Sequence, residues 1–233
     1  MQIPISGITQ SFGFLVFFFL ALRFLKYSQK EKDIIGRFFG YAFFLASLSR
    51  IFFAVPCLFF LKDHTTWVIF EIIQRTFLVA SLVFLGYIIF LVGLEKYAKK
   101  ITFFLAFIAL IVVIGFALSP PIYNIGGDGI LAWQDPPFWP SLLNFFLMIL
   151  VLVPGIIIFL KEARVSNIRI VKIRSLGFFG ASILILIISL LDFFIILLLG
   201  LGAIYSEISY IVFYVFLALT LVLAYFPSQK KQD

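Results

Sequence analysis

Cysteine and histidine are almost missing from this sequence, with Cys57 and His64 the single examples in 233 residues. One thiol, placed inside an apolar run, excludes an intrachain disulfide and a cysteine-based metal cage. One histidine, placed in a loop, excludes a paired-histidine metal site and gives a haem iron no axial histidine within the apolar runs. No HExxH, P-loop or kinase signature is present. The last apolar run, "YIVFYVFLALTLVLAYF", has no lysine to form a Schiff base with retinal. No metal, no cofactor and no enzymatic activity are therefore expected. Hydroxyls such as Ser47 and Ser189 are expected to be helix contacts or to bond their own backbone.

Charge is scarce as well. Only 12% of the residues are charged while 64% are hydrophobic, including 33 phenylalanines. A soluble core of this size cannot hide so much apolar surface, so the chain needs lipid as a solvent. No long polar segment remains for a second domain, and residues 1–233 read as a single polytopic transmembrane domain. The segment Met1 to Gln10 lacks the positive region of a secretory signal and reads as part of a mature helix. The net charge of +7 lies in short Lys and Arg clusters between apolar runs. That distribution orients a membrane protein and does not form the extended basic face of a nucleic-acid binder.

About 20 apolar residues are needed to cross a hydrocarbon core. Seven such runs occur, near 8–26, 38–61, 67–93, 101–119, 138–160, 175–200 and 207–227, so an all-α bundle of seven transmembrane helices is expected. Basic residues fall in alternate breaks: Arg23, Lys26, Lys30, Lys32 and Arg37 after the first run, then Lys96, Lys99 and Lys100 after the third. The break after the fifth has Lys161, Arg164, Arg169, Lys172 and Arg174, and the tail has Lys230 and Lys231. The other breaks hold Lys62 with the acidic Asp63, Asp128 and Asp135. By the positive-inside rule the N-terminus is outside, the C-terminus inside, and the location is the cell membrane as a multi-pass protein. Trp67, Trp133 and Trp139 all fall at the outer edge, where an indole suits the headgroups.

The outer break "SPPIYNIGGDGILAWQDPPFWP" is expected to be built from turns and to cover helix ends. In the inner break 161–174, five cations alternate with Val165, Ile168, Ile170, Val171 and Ile173, which suits a segment lying against anionic lipid. Gly36 and Gly40 make a GxxxG at the inner edge, a weak dimerisation signal. Pro56 and Pro154 are expected to kink their helices or to pack there without consequence.

Ionisable groups inside membrane helices are costly, and four fall there: Arg50, Glu71, Arg75 and Asp192. Counted from the outer helix ends, they lie about 16, 6, 12 and 12 Å deep. Glu71, Gln74 and Arg75 share one helix face, which is expected to point into the bundle. Asn144, with Ser141 a turn away, adds polar groups at similar depth. Two readings fit this set. In one, the charges close into an ion-pair network, with Glu71 paired locally to Arg75 and Arg50 reaching Asp192. In the other, Arg50, Glu71, Gln74, Arg75, Asn144 and Asp192 line an outward-facing pocket for a small solute, anions included.

The stretch from Arg37 to Lys100, with "SRIFF" in the second helix and "LEKYAKK" closing the third, resembles small uncharacterised seven-helix membrane proteins of archaea and bacteria. It is distantly similar to the seven-helix sensory modules of some prokaryotic histidine kinases. The resemblance covers about a quarter of the chain and implies a sensor-like or receptor-like protein. Because the chain ends at Asp233 without an output domain, its signal would pass to a separate membrane or cytoplasmic protein. A small-solute transporter and a structural subunit of a membrane complex are the alternatives. Transport sites usually lie at the midplane beside helix breaks, and no Gly or Pro break flanks the charges of the third and sixth helices.

Overall fold

A computed structural model describes residues 4–60, 63–120, 122–125, 131–135, 137–192 and 203–225. Its helices are α1 (Ile5–Glu31), α2 (Ile34–Phe59), α3 (His64–Gly93), α4 (Glu95–Leu118), α5 (Phe138–Val165), α6 (Arg169–Asp192) and α7 (Ala203–Tyr225). Six of them, α1 to α6, are long and apolar enough to cross a membrane, and a shorter apolar stretch, Glu207–Val222, lies within α7. Two strands, β1 (Ile122–Ile125) and β2 (Leu131–Asp135), pair antiparallel between α4 and α5. The long Pro- and Gly-rich break is thus a β-hairpin, with Tyr123 opposite Trp133 and Ile125 opposite Leu131. This hairpin marks one end of the bundle, the hairpin end.

The helices run past the apolar stretches that mark them in the sequence. A helix closes its own backbone hydrogen bonds, so it continues into polar sequence as long as its side chains reach solvent. The α1–α2 link shrinks to two residues. Lys32, in the left-handed region at φ 54°, turns its N–H back to the Ser28 carbonyl. Asp33 then caps α2 by accepting from the Gly36 N–H at 3.1 Å. Lys96, Lys99 and Lys100 belong to the first turns of α4. The segment 161–174 is likewise not a loop: α5 continues to Val165, α6 begins at Arg169, and 166–168 alone join them. Its Val165, Ile168 and Ile170 side chains are exposed beside the cations, whereas Arg174 is drawn inward to donate to the Tyr27 hydroxyl.

Consecutive helices alternate in direction, as short links demand. A Cβ on Gly7 of α1 would meet Leu58 of α2 at 2.7 Å, and one on Gly40 of α2 would meet Leu25 of α1 at 2.7 Å. The GxxxG glycine Gly40 is therefore used within the chain, to let α1 and α2 approach. The closing helix α7 runs parallel to α1, with Tyr214 against Gly13 and Glu207 against Ser6. Pro56 and Pro154 both lie inside their helices. Each lacks an N–H, which leaves the carbonyls of Phe52 and Leu150 without their usual helical donor.

Among the described residues a large apolar core runs through the bundle, including Phe24, Phe39, Ile89, Leu147 and Leu217, and a small second cluster holds Cys57 and Trp67. Ser47 and Ser189 bond backbone carbonyls of their own helices, at 2.7 Å each. The outward faces are apolar too: Phe103, Phe107, Leu110 and Ile114 of α4 are exposed. Such a surface suits contact with a lipid bilayer.

Candidate functional site

Near the hairpin end, apolar packing gives way to buried polar side chains from at least four helices. On α3, Glu71 is 2% exposed and Gln74 is 3% exposed. Arg75 Nε donates to Glu71 Oε1 at 2.7 Å, one helical turn away, and the guanidinium lies over the Phe116 ring of α4 at 4.4 Å. This is the local pair that their spacing predicts. Gln74 Nε2 donates to Ser49 Oγ of α2 at 3.1 Å, so α3 turns its polar face into the bundle.

Arg50, next to Ser49, faces the other way. Its Nη1 donates to Gln10 Oε1 of α1 at 3.1 Å, and its guanidinium lies 5.6 Å from the Tyr210 ring and 5.9 Å from the Tyr214 ring of α7. Gln10 Oε1 also accepts from the Tyr214 hydroxyl at 3.3 Å, so one amide joins α1, α2 and α7. That approach depends on Gly13, where a Cβ would stand 2.5 Å from the Tyr214 ring. A turn nearer the helix start, Ser6 Oγ donates to Glu207 Oε1 at 2.6 Å. Cys57 of α2 packs with Trp67.

Several polar atoms in this layer are buried and have no hydrogen-bond partner among the described residues: Glu71 Oε2, Gln74 Oε1, Asn144 Oδ1, Ser141 Oγ and Glu207 Oε2. An acceptor left so is costly at membrane depth. The α3–α5 contacts Gly86 with Val151, Ile89 with Gly155 and Gly93 with Ile158 advance together, so these helices run parallel. Carried toward the hairpin end, this register sets Ser141 level with Arg75 and Asn144 about a turn deeper. The α5–α6 contacts Phe159 with Phe178 and Gly155 with Ser182 run antiparallel. Carried to the end of α6, they bring residue 192 level with Asn144. The Asp192 side chain itself lies outside the described residues, and with it the expected pairing to Arg50.

The sequence singles out Arg50, Glu71, Gln74, Arg75 and Asn144, but not Ser6, Gln10, Tyr214 or Glu207. A helical stripe is visible for the first pair, since Ser6, Gln10, Gly13 and Phe17 recur on one face of α1. Glu207, Tyr210 and Tyr214 form the matching stripe on α7. Of the tryptophans, Trp139 is exposed at the start of α5, whereas Trp67 is buried against Phe53, ring centroids 6.2 Å apart. Trp67 serves packing at that end and not the headgroups; the side chains of Trp133 and Asp135, and residues 126–130, lie outside the described set. No group of three or more metal-ligating side chains occurs among the described residues. No protein-family model matches the chain, and no curated protein matches it.

Proposed function

We propose that this chain is a sensor-like or receptor-like membrane protein of seven spans, N-terminus outside and C-terminus inside, whose polar layer opens outward to a small ligand. The orientation is supported by the charges: Arg23, Lys26, Lys96, Lys99, Arg164 and Arg169 all belong to the end opposite the hairpin. The seventh span is supported by α7, whose 23 residues reach about 34 Å and pack parallel to α1.

The observation that carries the sensor reading is a continuous aromatic path from the polar layer to the basic end. Tyr214, under Arg50, packs on Phe17 at 5.7 Å, and Phe17 on Phe43 at 6.1 Å. Phe43 packs on Phe24 at 5.4 Å and on Phe39 at 6.4 Å. Phe39 stacks on Phe178 at 4.0 Å, one turn from Arg174, which holds Tyr27. Close-packed rings transmit displacement because they have few alternative arrangements. A ligand that shifts Arg50 or Tyr214 would thus act on the α6 start, where a partner protein can read it. At that same end we infer contact of the 161–174 cations with anionic headgroups, each contributing on the order of 1 kcal/mol.

The test uses the full chain in proteoliposomes, with a fluorophore on Asn167→Cys in a Cys57→Ser background and a panel of small solutes outside. A sensor gives a fluorescence change at residue 167 without solute accumulation inside. Accumulation of the solute would instead make the chain a transporter, and no response to any solute would leave the structural-subunit reading in place.

A further inference from the structure

We propose that the outer layer binds a small primary ammonium ligand, seated on Glu71 Oε2 and Gln74 Oε1 of α3. The inference rests on the reading of the layer as a ligand site and names the chemistry it takes. Each of the two side chains has one end fixed and the other open. Glu71 Oε1 holds Arg75 and Gln74 Nε2 holds Ser49, while Glu71 Oε2 and Gln74 Oε1 are buried with no partner among the described residues. With an i,i+3 spacing, the two open acceptors share a face of α3. Asn144 Oδ1, another open acceptor, lies on α5 roughly 7 Å deeper than Gln74 and about two turns deeper than Glu71.

A carboxylate oxygen and an amide oxygen accept and do not donate, so their complement is a group rich in N–H or O–H donors. Charge selects among such groups. The open oxygen of Glu71 belongs to a carboxylate, to which a cationic donor makes a stronger, charge-assisted bond than a neutral one. A primary ammonium combines that charge with three donors directed from one atom, which a quaternary ammonium does not have. Of the layer's arginines, Arg75 holds Glu71 and lies over Phe116, and Arg50 holds Gln10 beside two tyrosine rings.

The test is the thermal midpoint of the full chain in nanodiscs, titrated with methylammonium chloride, tetramethylammonium chloride, sodium chloride or sodium acetate. Methylammonium should raise the midpoint saturably above the sodium chloride control, and tetramethylammonium should not. Glu71→Gln should weaken the apparent affinity about tenfold to a hundredfold, as the loss of a charge-assisted bond does. Gln74→Leu is the second variant, since it keeps the Glu71–Arg75 pair if Glu71→Gln fails to fold. Glu95→Gln, exposed at the opposite end, should leave the affinity unchanged. Equal effects of methylammonium and sodium, or of methylammonium and tetramethylammonium, would overturn the proposal, as would undiminished affinity in Gln74→Leu. Saturable stabilisation by acetate alone would remove the ammonium class and keep a ligand site. Nanodiscs expose both faces, so a negative result here is separate from the question of which face the layer opens to.

Discussion

Replacing Gly13 by alanine is the sharpest probe of how the layer is assembled, because two effects of opposite sign act at one atom. In an exposed helix this substitution stabilises by about 1 kcal/mol, since alanine loses less backbone entropy than glycine. Here the added Cβ would stand 2.5 Å from Cζ and 2.7 Å from the hydroxyl of Tyr214. Tyr214 is fully buried and wedged among Phe12, Phe17, Tyr210 and Phe213, so its ring has little room to withdraw. Overpacking of this kind costs about 1 to 3 kcal/mol, and displacing the hydroxyl from Gln10 adds about 1 kcal/mol. The net expectation is a loss of roughly 1 to 3 kcal/mol. Equilibrium unfolding in mixed micelles measures it, with Gly180→Ala as the comparison, where the nearest atom is the Thr220 methyl at 3.3 Å and the change should be near neutral. A Gly13→Ala variant more stable than the parent would refute the α1–α7 approach described here.

Other perturbations test neighbouring parts of the account. Arg75→Leu leaves Glu71 as an unpaired buried carboxylate and should destabilise by about 3 to 5 kcal/mol, whereas the double variant with Glu71→Leu should cost less; additive losses in the same unfolding assay would argue against the pair. Gln10→Leu and Arg50→Leu share one hydrogen bond, so their losses should be non-additive in a double-mutant cycle, with a coupling of about 0.5 to 3 kcal/mol. Asp63 caps α3 by accepting from the Thr66 N–H and hydroxyl, and these bonds hold its carboxyl below the usual carboxylate range. A depressed folded-state value means its stabilisation is present at neutral pH and fades as the pH falls through that value. Asp63→Ala should therefore lower the thermal midpoint at pH 7 and converge with the parent in acid. For topology, a reporter after Asp233 should be active only in the cytoplasm, and a cysteine at Gly127 should be labelled from outside.

The apolar runs make the helices legible, because a segment needing lipid must satisfy its backbone internally. Their ends are less legible: nothing in "KEARVSNIRIVKIRS" announces that helix persists to Val165 and restarts at Arg169, since charged and apolar residues alike are good enough helix formers there. On α3 the i, i+3, i+4 spacing of Glu71, Gln74 and Arg75 states both the inward face and the local pair. The opposite wall is obscure for a physical reason. Gln10 and Tyr214 carry no formal charge and do not stand out from apolar sequence at the membrane boundary, and Glu207 reads as the edge of a span until α7 is seen to start at Ala203. The depth scale shifts with the boundaries as well: α3 begins at His64, which sets Glu71 about 10 Å inside its helix, deeper than a start at residue 67 implies.

Whether external solvent reaches the polar layer decides the account most directly. In a Cys57→Ser background, Gln74→Cys in intact cells should react with a small membrane-impermeant thiol reagent applied outside, while Leu152→Cys, in the apolar core, should not. Reaction at residue 74 only from inside-out vesicles, or only after solubilisation, would contradict an outward-facing ligand site.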